Sequence, residues 1–319
     1  MPTPISGVNS YIQYDWETTY GTQAAGTFKA FGQGHKISVS RKNNAERIYG
    51  LGSRDAQKLV VKQFEGTFSV DFVGASGYWW RSILGAAPVD AGAGPYTHTY
   101  SRADNVGSFT IENGFNLDTD KAIFLLGCKA NTASVTAAVN EVIKIKLDGA
   151  YKDEDVSGTI DTTPATDAEE PFVFQHATLE IPDTTTITEV QSVDISVTNN
   201  QEGVYGLGSR FRSADVSKQF EVSLKLSVAF EQTANLLELF WGGSGGPVAS
   251  PGEIATAQLT LDNGGVGTAS RKWVINLVGL QIDDESLPQD PNEVIKEDLT
   301  LFARQISSVV ITDNTAVAP

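Results

Sequence analysis

The stretch "YGLGSRDAQKLVVKQFE" (Tyr49–Glu65) returns as "YGLGSRFRSADVSKQFE" (Tyr205–Glu221), and this repetition decides how the chain is organised. Two blocks, "YGLGSR" and "KQFE", are identical in both copies and lie 156 positions apart, whereas six of the seven residues between them differ. The matched residues are Glu46 with Glu202, Tyr49 with Tyr205, Arg54 with Arg210, and Phe64 with Phe220. So close a match indicates two copies of one unit.

A second pair of anchors follows in the same order. "NEVIK" occurs at Asn140–Lys144 and again at Asn292–Lys296, 152 positions later, and "LLG" at Leu125–Gly127 is answered by "LVG" at Leu277–Gly279. The change of offset from 156 to 152 fits the loss of a few residues between the anchors. Because the period far exceeds the roughly 20–50 residues of a solenoid repeat, each copy is predicted to be a whole domain.

The segment "SGTIDTTPATDAEEP" (Ser157–Pro171) lies between the copies, is rich in Thr, Asp, Ala and Pro, and has no hydrophobic periodicity. A long surface loop within one domain would have the same composition, but the limits of the repeat favour a linker. We therefore predict a first domain at 1–158, which includes an N-terminal arm, a linker at 159–170 and a second domain at 171–319.

Composition sets the broad class. Hydrophobic residues make up 40% of the 319 residues and charged residues 19%, as in a globular protein. The 23 Lys and Arg against 39 Asp and Glu give a net charge of −16, which argues against a protein that grips nucleic acid. The single cysteine, Cys128, excludes an intramolecular disulfide. No secretory signal or stretch of about 20 apolar residues is visible, so we expect synthesis in the cytoplasm and no membrane contact.

Alternation of apolar and polar residues predicts a chain made mainly of β-strands. Two apolar clusters that end at Gly, Ser76–Ala87 and Thr233–Gly243, predict one short helix in each copy. The fold class is therefore mainly β, with two tandem sandwich or barrel domains that each carry one flanking helix. The predicted strands lie at Lys36–Ser40, Phe64–Val73, Glu141–Tyr151, Ala177–Ile181, Ser192–Asn199 and Phe220–Phe230.

No set of residues predicts an enzyme, a cofactor or a metal. The three histidines, His35, His98 and His176, do not share a metal-ligand spacing. "WGGSGG" (Trp241–Gly246) lacks the Lys and the following helix of a phosphate loop, so it is interpreted as a turn. Acidic clusters could attract a hard cation, but they lack the spacing of a calcium loop and are interpreted as solvated surface. These clusters are Asp118 with Asp120, Asp153–Asp155 and Asp283–Glu285.

The repeated motif is interpreted instead as an interface loop. It lies in a connection of about 20 residues between two predicted strands, and connections of that length are often functional. Its glycines permit a sharp projecting turn, and Tyr and Arg are enriched at protein contacts. The alternative is that the motif caps the barrel of its own domain. The candidate interface residues are Glu46, Tyr49, Gly50, Leu51, Gly52, Arg54, Glu202, Tyr205, Gly206, Leu207, Gly208 and Arg210.

The chain resembles the major tail tube proteins of long-tailed, non-contractile viruses of bacteria and archaea. The matching stretches are "ETTYGT" (Glu17–Thr22), the "GLGSR" of both halves, and "GCKANTASVTAAVNEVIKIKLDGAYKD" (Gly127–Asp153). The last stretch has the form of a strand, a polar turn and a second strand. Its weaker counterpart is Val278–Ala303, which lacks the Cys.

The resemblance implies a virion protein. Six domains would form a ring whose strands close into an inner barrel, so two domains per chain imply three chains per ring. The repeated loop would reach the neighbouring ring, and the partners would be tape measure, tail tip and terminator proteins, with viral DNA passing through without tight binding. An acidic wall repels phosphate within about 10 Å, and an acidic chain also fits a halophilic host.

Alternative functions are a tail-tip ring protein, a secreted or surface β-sandwich binding module, and a hydrolase. Against the binding module stand the missing signal and the missing aromatic platform, because Trp79, Trp80 and Trp241 lie in helix-like apolar runs and are expected in the core. No catalytic set supports the hydrolase.

Overall fold

The computed structural model describes residues 6–115, 121–158, 160–182, 184–230, 235–292 and 294–318, and strands dominate it. Among the described residues of the first half are eleven strands and one short α-helix, α1 (Arg81–Leu84). The strands are β1 (Ser10–Trp16), β2 (Gln33–Lys42), β3 (Glu46–Tyr49), β4 (Ala56–Val60), β5 (Glu65–Val73), β6 (Val89–Ala91), β7 (Tyr96–Tyr100), β8 (Phe109–Phe115), β9 (Lys121–Ala138), β10 (Lys144–Tyr151) and β11 (Asp153–Asp155).

In the second half the described ranges hold nine strands and the α-helix α2 (Asn235–Trp241). None of the helices within the described ranges is long and apolar enough to cross a membrane. The strands are β12 (Ala177–Glu180), β13 (Thr186–Ile187), β14 (Val190–Thr198), β15 (Glu202–Tyr205), β16 (Arg212–Val216), β17 (Glu221–Ala229), β18 (Ile254–Asp262), β19 (Lys272–Ser286) and β20 (Lys296–Asp313). Short 3-10 helices occur at Gly7–Asn9, Tyr78–Trp80, Phe174–His176 and Gly267–Ala269.

The predicted mainly β fold with short helices is confirmed, and alternation is its cause. In β5 every second residue, from Gly66 to Phe72, is buried, and β17 repeats this pattern from Val222 to Val228. Each predicted strand overlaps an observed one, although β10 begins at Lys144 because Asn140 has a left-handed φ of 66° in the preceding turn. Both predicted helices are shorter than their apolar clusters, and Thr233 and Ala234 of the second cluster lie outside the described residues.

One sheet runs through both halves. Its central path is β2-β5-β10-β9 in the first half and β14-β17-β20-β19 in the second, and β9 pairs antiparallel with β14 to join them. The same strand β9 turns away at its other end to pair with β8, as β19 does with β18. The two halves therefore present the same order of strands, placed edge to edge.

Fine details of the two halves also coincide. Gly127 in β9 and Gly279 in β19 have left-handed φ values of 65° and 67°. The ladder between β9 and β10 is irregular between Asp148 and Gly149, and the ladder between β19 and β20 between Ile282 and Asp284. Under the 152-residue offset the two irregularities occupy equivalent positions. The matching strands β9 and β19 are therefore expected to bend in the same way.

The halves share one apolar core. Trp79 and Trp80 after β5 are fully buried, and the Trp79 ring centroid lies 6.3 Å from that of Trp273 in β19. Phe172 packs on the same Trp273 ring at 5.3 Å. The sequence-based placement of Trp79 and Trp80 in the core is therefore confirmed, whereas Trp241 at the end of α2 is only half-buried.

The described part of the predicted linker, 160–170, contains no strand or helix, yet it is held against both halves. Asp161 accepts a hydrogen bond from Gln13 Nε2 at 3.1 Å, and Asp167 accepts one from the Ser76 backbone N–H at 2.9 Å. Arg271 of the second half donates to the Glu170 carbonyl at 2.5 Å. This segment therefore fixes the two halves relative to each other.

A buried histidine ties the end of the chain to the first half. His98 in β7 has no exposed side-chain surface, and its ring nitrogens lie 2.7 Å from Asp90 and 3.1 Å from Asp313, the last residue of β20. Burial lowers the pKa of His98, but hydrogen bonds to the two carboxylates raise it more, so its pKa is above the ordinary value.

We expect His98 to make the free energy of unfolding depend on pH. A histidine whose pKa is raised by folding contributes fully below its unfolded pKa of about 6.5, and the contribution is lost as the pH rises through the folded-state pKa. Glutamine does not titrate in this range. The free energy of unfolding of His98→Gln should therefore fall furthest below that of the wild type under pH 6.5, and the difference should shrink at higher pH. Urea unfolding at a series of pH values measures this difference. A difference that is constant over the series would contradict the role of His98.

Candidate assembly interface

Each copy of the repeated motif forms a β-hairpin that projects from the sheet. The predicted long irregular connection is thus a hairpin, because β3 pairs with β4 and β15 with β16. These strands are too short and too exposed to give a periodic signal in the sequence. We name them the first hairpin (46–60) and the second hairpin (202–216).

The bases of the two hairpins are built identically. The Lys62 backbone N–H donates to the Asn43 carbonyl at 3.2 Å, and Lys218 donates to Asn199 at 3.1 Å. The predicted site residues Glu46 and Glu202 each form an ion pair here, Glu46 with Lys62 and Glu202 with Lys218. These contacts close the hairpins and explain why Glu and Lys recur in both copies.

The tips need glycine and expose leucine. Gly52 and Gly208 have φ values of 88° and 90°, a conformation that strains any residue with a Cβ. The turn that they allow leaves Leu51 and Leu207 fully exposed, beside Gly50 and Gly206. An apolar side chain held in water at the end of a projection is typical of a contact surface.

The second hairpin packs on the first half of the same chain. The Tyr205 hydroxyl donates to the Phe64 carbonyl at 3.0 Å, and the Phe64 backbone N–H donates to the Arg210 carbonyl at 2.8 Å. The Arg210 guanidinium lies 5.9 Å from the Phe64 ring centroid and donates to Asn43 Oδ1. Tyr205 and Arg210 therefore join neighbouring halves side by side.

Strand β16 of the second hairpin adds a buried ion pair to this contact. Arg212 lies 2.7 Å from Asp215, whose carboxylate also accepts a hydrogen bond from the Tyr20 hydroxyl at 2.6 Å. Lys129 of β9 donates to the Asp215 carbonyl at 2.9 Å. Burial lowers and Asp215 raises the pKa of Arg212, with a net rise. Tyr20 belongs to the "ETTYGT" stretch, which thus touches the second half.

The first hairpin, by contrast, has no packing partner in the described chain. Tyr49 is 59% exposed and Arg54 is exposed, whereas their counterparts Tyr205 and Arg210 engage Phe64. The exposed apolar residues of the first hairpin are Ile48, Tyr49, Leu51, Leu59 and Val60, and the exposed Val61 directly follows it. Because an isolated two-stranded hairpin is only marginally stable in water, we expect this apolar surface to contact another chain.

We expect Tyr205→Phe to lower the free energy of unfolding by about 1 kcal/mol, because it removes the hydroxyl that donates to Phe64 and accepts from Arg212. The matched variant Tyr49→Phe removes the same atom from an exposed site and should leave the isolated chain unchanged. Chemical unfolding of both variants measures the difference. Equal effects of the two variants would show that the hydrogen bond of Tyr205 does not stabilise the chain.

Two free strand edges lie at opposite ends of the central path, and the sequence alone does not reveal them. Strand β2 pairs on one side only, with β5. Strand β19 pairs with β18 only as far as Leu280, so one side of the segment from 283 to 286 is open in the part of the chain that the structure describes. The charged stretches "SRK" (Ser40–Lys42) and "DDE" (Asp283–Glu285) on these edges were the available signal.

The acidic clusters that the sequence offered as possible cation sites do not come together in the described residues. Among the described residues no group of three or more His, Cys, Asp or Glu side chains could hold a metal ion. Glu154 of the cluster Asp153–Asp155 is paired with Arg41, and Asp283–Glu285 lies along the free edge of β19. Asp118 and Asp120 lie outside the described residues. The site that the geometry supports is therefore a set of protein contacts.

Comparison with known proteins agrees with this geometry. The model of a family described as phage tail tube protein matches residues 7–295. A search of curated proteins gives no significant match. Because the family model spans most of both halves, the chain belongs to the phage tail tube protein family, whose members are structural components of the virion tail and assemble into its tube.

Proposed function

We propose that this protein is the major tail tube subunit and that three chains close into each ring, each chain supplying two tandem copies of one domain. The observation that carries this proposal is the side-by-side joining of two equivalent halves in one sheet, whose central path has an open edge at β2 and another at residues 283–286 of β19. If the junction inside the chain is repeated between chains, the sheet continues until it closes. Closure would also bury edges that otherwise invite aggregation.

The size of such a ring suits a conduit. Eight strands per chain lie on the central path, from β2 to β19, so three chains would contribute 24 strands. With strands about 4.8 Å apart and tilted by about 40°, the barrel would measure about 48 Å between opposite backbones. After subtraction of the side chains, this leaves room for a DNA duplex. We propose that the viral genome passes through this channel on delivery.

The hydrophilic face of the sheet has the chemistry of a wall that does not hold DNA. Hydroxyl side chains are frequent on it, and two of its anions have partners: Asp194 accepts from Thr136 at 2.5 Å and Asp148 lies 3.0 Å from Lys146. The lysines of this face lie opposite carboxylates, as Lys36 and Lys146 lie opposite Asp71 and Lys225 lies opposite Asp194, so they do not form a separate basic patch for phosphate. The hydroxyl residues are Ser38, Ser40, Thr67, Ser69, Thr132, Ser134, Thr136, Ser192, Ser196, Thr198, Ser223, Ser227 and Thr300.

The hairpins would connect successive rings. We propose that Leu51 and Leu207 at their tips contact the adjacent ring, while Tyr205 and Arg210 hold the second hairpin laterally. The ends of the tube would then meet other tail proteins, such as tape measure, terminator and tail-tip proteins, after synthesis in the host cytoplasm.

Measurement of ring mass tests this function. The purified chain is concentrated, and native mass spectrometry and negative-stain microscopy are recorded on the same sample. We expect a closed species of about 102 kDa, three times the chain mass of 34.1 kDa, together with stacks of rings. A chain that stays monomeric at all concentrations, or that forms rings of six chains, would exclude the proposal.

A further inference from the structure

The junction between β9 and β14 inside the chain is a template for the junction between two chains. Strand β14 lies against the 132–138 segment of β9, with Thr198 opposite Thr132, Val197 opposite Ala133, and Ser192 opposite Ala138. The counterpart of β14 is β2, and the counterpart of β9 is β19. Strand β2 has a free edge, and the segment that corresponds to 132–138 is 284–290, whose first three residues lie in β19 beyond its pairing with β18, so the same pairing is open to two copies of the chain.

The two offsets of the sequence repeat convert this template into a register. The offset of 156 relates β14 to β2, and the ladders agree, because Thr198 pairs with Glu221 as Lys42 pairs with Glu65. The offset of 152 relates β9 to β19, and the irregular positions of their ladders coincide. Each half of the template can therefore be transferred residue by residue.

Transfer of the register sets opposite charges against each other. Thr198 opposite Thr132 becomes Lys42 opposite Asp284, and Val197 opposite Ala133 becomes Arg41 opposite Glu285. Ser192 opposite Ala138 becomes Lys36 opposite Asp290, and the apolar pair Ile195 with Val135 becomes Val39 with Leu287. Among the template pairs only Asp194 with Thr136 contains a charged residue, so pairs of opposite charge arise only where the free edges are set against each other.

The acidic edge is short of cations in the isolated chain. Glu285 lies beside Asp284, and burial together with that neighbouring charge raises the pKa of Glu285. Burial and the charge of Glu285 also raise the pKa of Glu297, whose Oε1 is buried without a hydrogen-bond partner among the described residues. A guanidinium such as that of Arg41, brought alongside Glu285, would neutralise this group.

We propose that β2 of one copy pairs antiparallel with the 284–290 segment of a second copy, in the register that sets Lys42 against Asp284, Arg41 against Glu285 and Lys36 against Asp290. This inference rests on the proposed ring. We call the contact between β2 of one chain and the 284–290 segment of the next the seam of the ring. Opposite charges across antiparallel strands favour one register, and like charges in that position oppose pairing. The contact between chains is thus electrostatic, unlike the junction within each chain, which contains no pair of opposite charges.

Exchange of one charge pair tests the seam. Lys42→Glu and Asp284→Lys each place like charges opposite each other, and both positions are exposed in the isolated chain. Each single variant should need at least about tenfold more protein to form rings, and the double variant should recover ring formation. Lys121→Glu and Asp104→Lys make the same charge changes at exposed positions off the seam and should assemble like wild type.

The outcomes separate the seam from the ring. Mass photometry over a range of concentrations gives the midpoint of assembly, and circular dichroism shows that each variant is folded. Trimeric rings that tolerate both single reversals, or a double variant no better than the singles, would overturn the register alone. A folded wild-type chain that never forms trimers would overturn the proposed ring together with its seam.

Discussion

Replacement of both Leu51 and Leu207 by Asp is expected to abolish tubes and leave trimeric rings intact. The two side chains are fully exposed at the tips of hairpins whose bases are fixed by ion pairs, so the chain itself gains nothing from them. Burial of a leucine against a neighbouring ring would contribute about 1.5–3 kcal/mol per tip. With six tips on each ring, the loss exceeds what a stack of rings can tolerate.

Sedimentation and negative-stain microscopy measure the fraction of protein in tubes. Val266→Asp is the matched control, because Val266 is an equally apolar and largely exposed residue outside the hairpins. The control should form tubes of normal length. Normal tubes from the Leu51 and Leu207 double variant would show that the tips do not join the rings.

Trp273→Ala is expected to lower the free energy of unfolding by about 3–5 kcal/mol, as for other large aromatic residues removed from a core. The Trp273 ring is 1% exposed and lies between Trp79 of the first half and Phe172 beside the predicted linker. Its loss opens a cavity where the halves meet, so both halves should lose stability together.

Urea unfolding followed by circular dichroism measures this effect. Trp241→Ala removes the same type of side chain from a half-buried position at the end of α2, and it should lower the free energy of unfolding clearly less. If the two substitutions had the same cost, the contact around Trp273 would not be what holds the halves together.

The strands of the core could be predicted because a strand that is buried on one face alternates apolar and polar residues in the sequence. Phe68, Val70 and Phe72 alternate with polar residues in β5, and Leu224, Leu226 and Val228 do so in the matching strand β17. The short strands of the hairpins escaped prediction since they bury almost no residue on either face. Their existence depends on hydrogen bonds at the base of the hairpin, such as that from Lys62 to Asn43.

The candidate interface could be found only in part for the same physical reason. Repetition of letters pointed to Tyr49, Arg54, Tyr205 and Arg210, but not to their different surroundings. That Tyr205 meets Phe64 while Tyr49 faces solvent follows from the pairing of β9 with β14, which joins residues about 60 positions apart. The free edges of β2 and β19 are also products of strand pairing, and the charged stretches Ser40–Lys42 and Asp283–Glu285 are the only local signal of them in the sequence.

Reconstruction of assembled tubes by electron cryomicroscopy tests the central claim, that the junction within the chain is repeated between chains. We expect rings of three chains, an inner barrel of 24 strands, and β2 of each copy paired with the 284–290 segment of the next, with Lys42 facing Asp284. Rings built of six chains, or rings in which β2 keeps an unpaired edge, would contradict it.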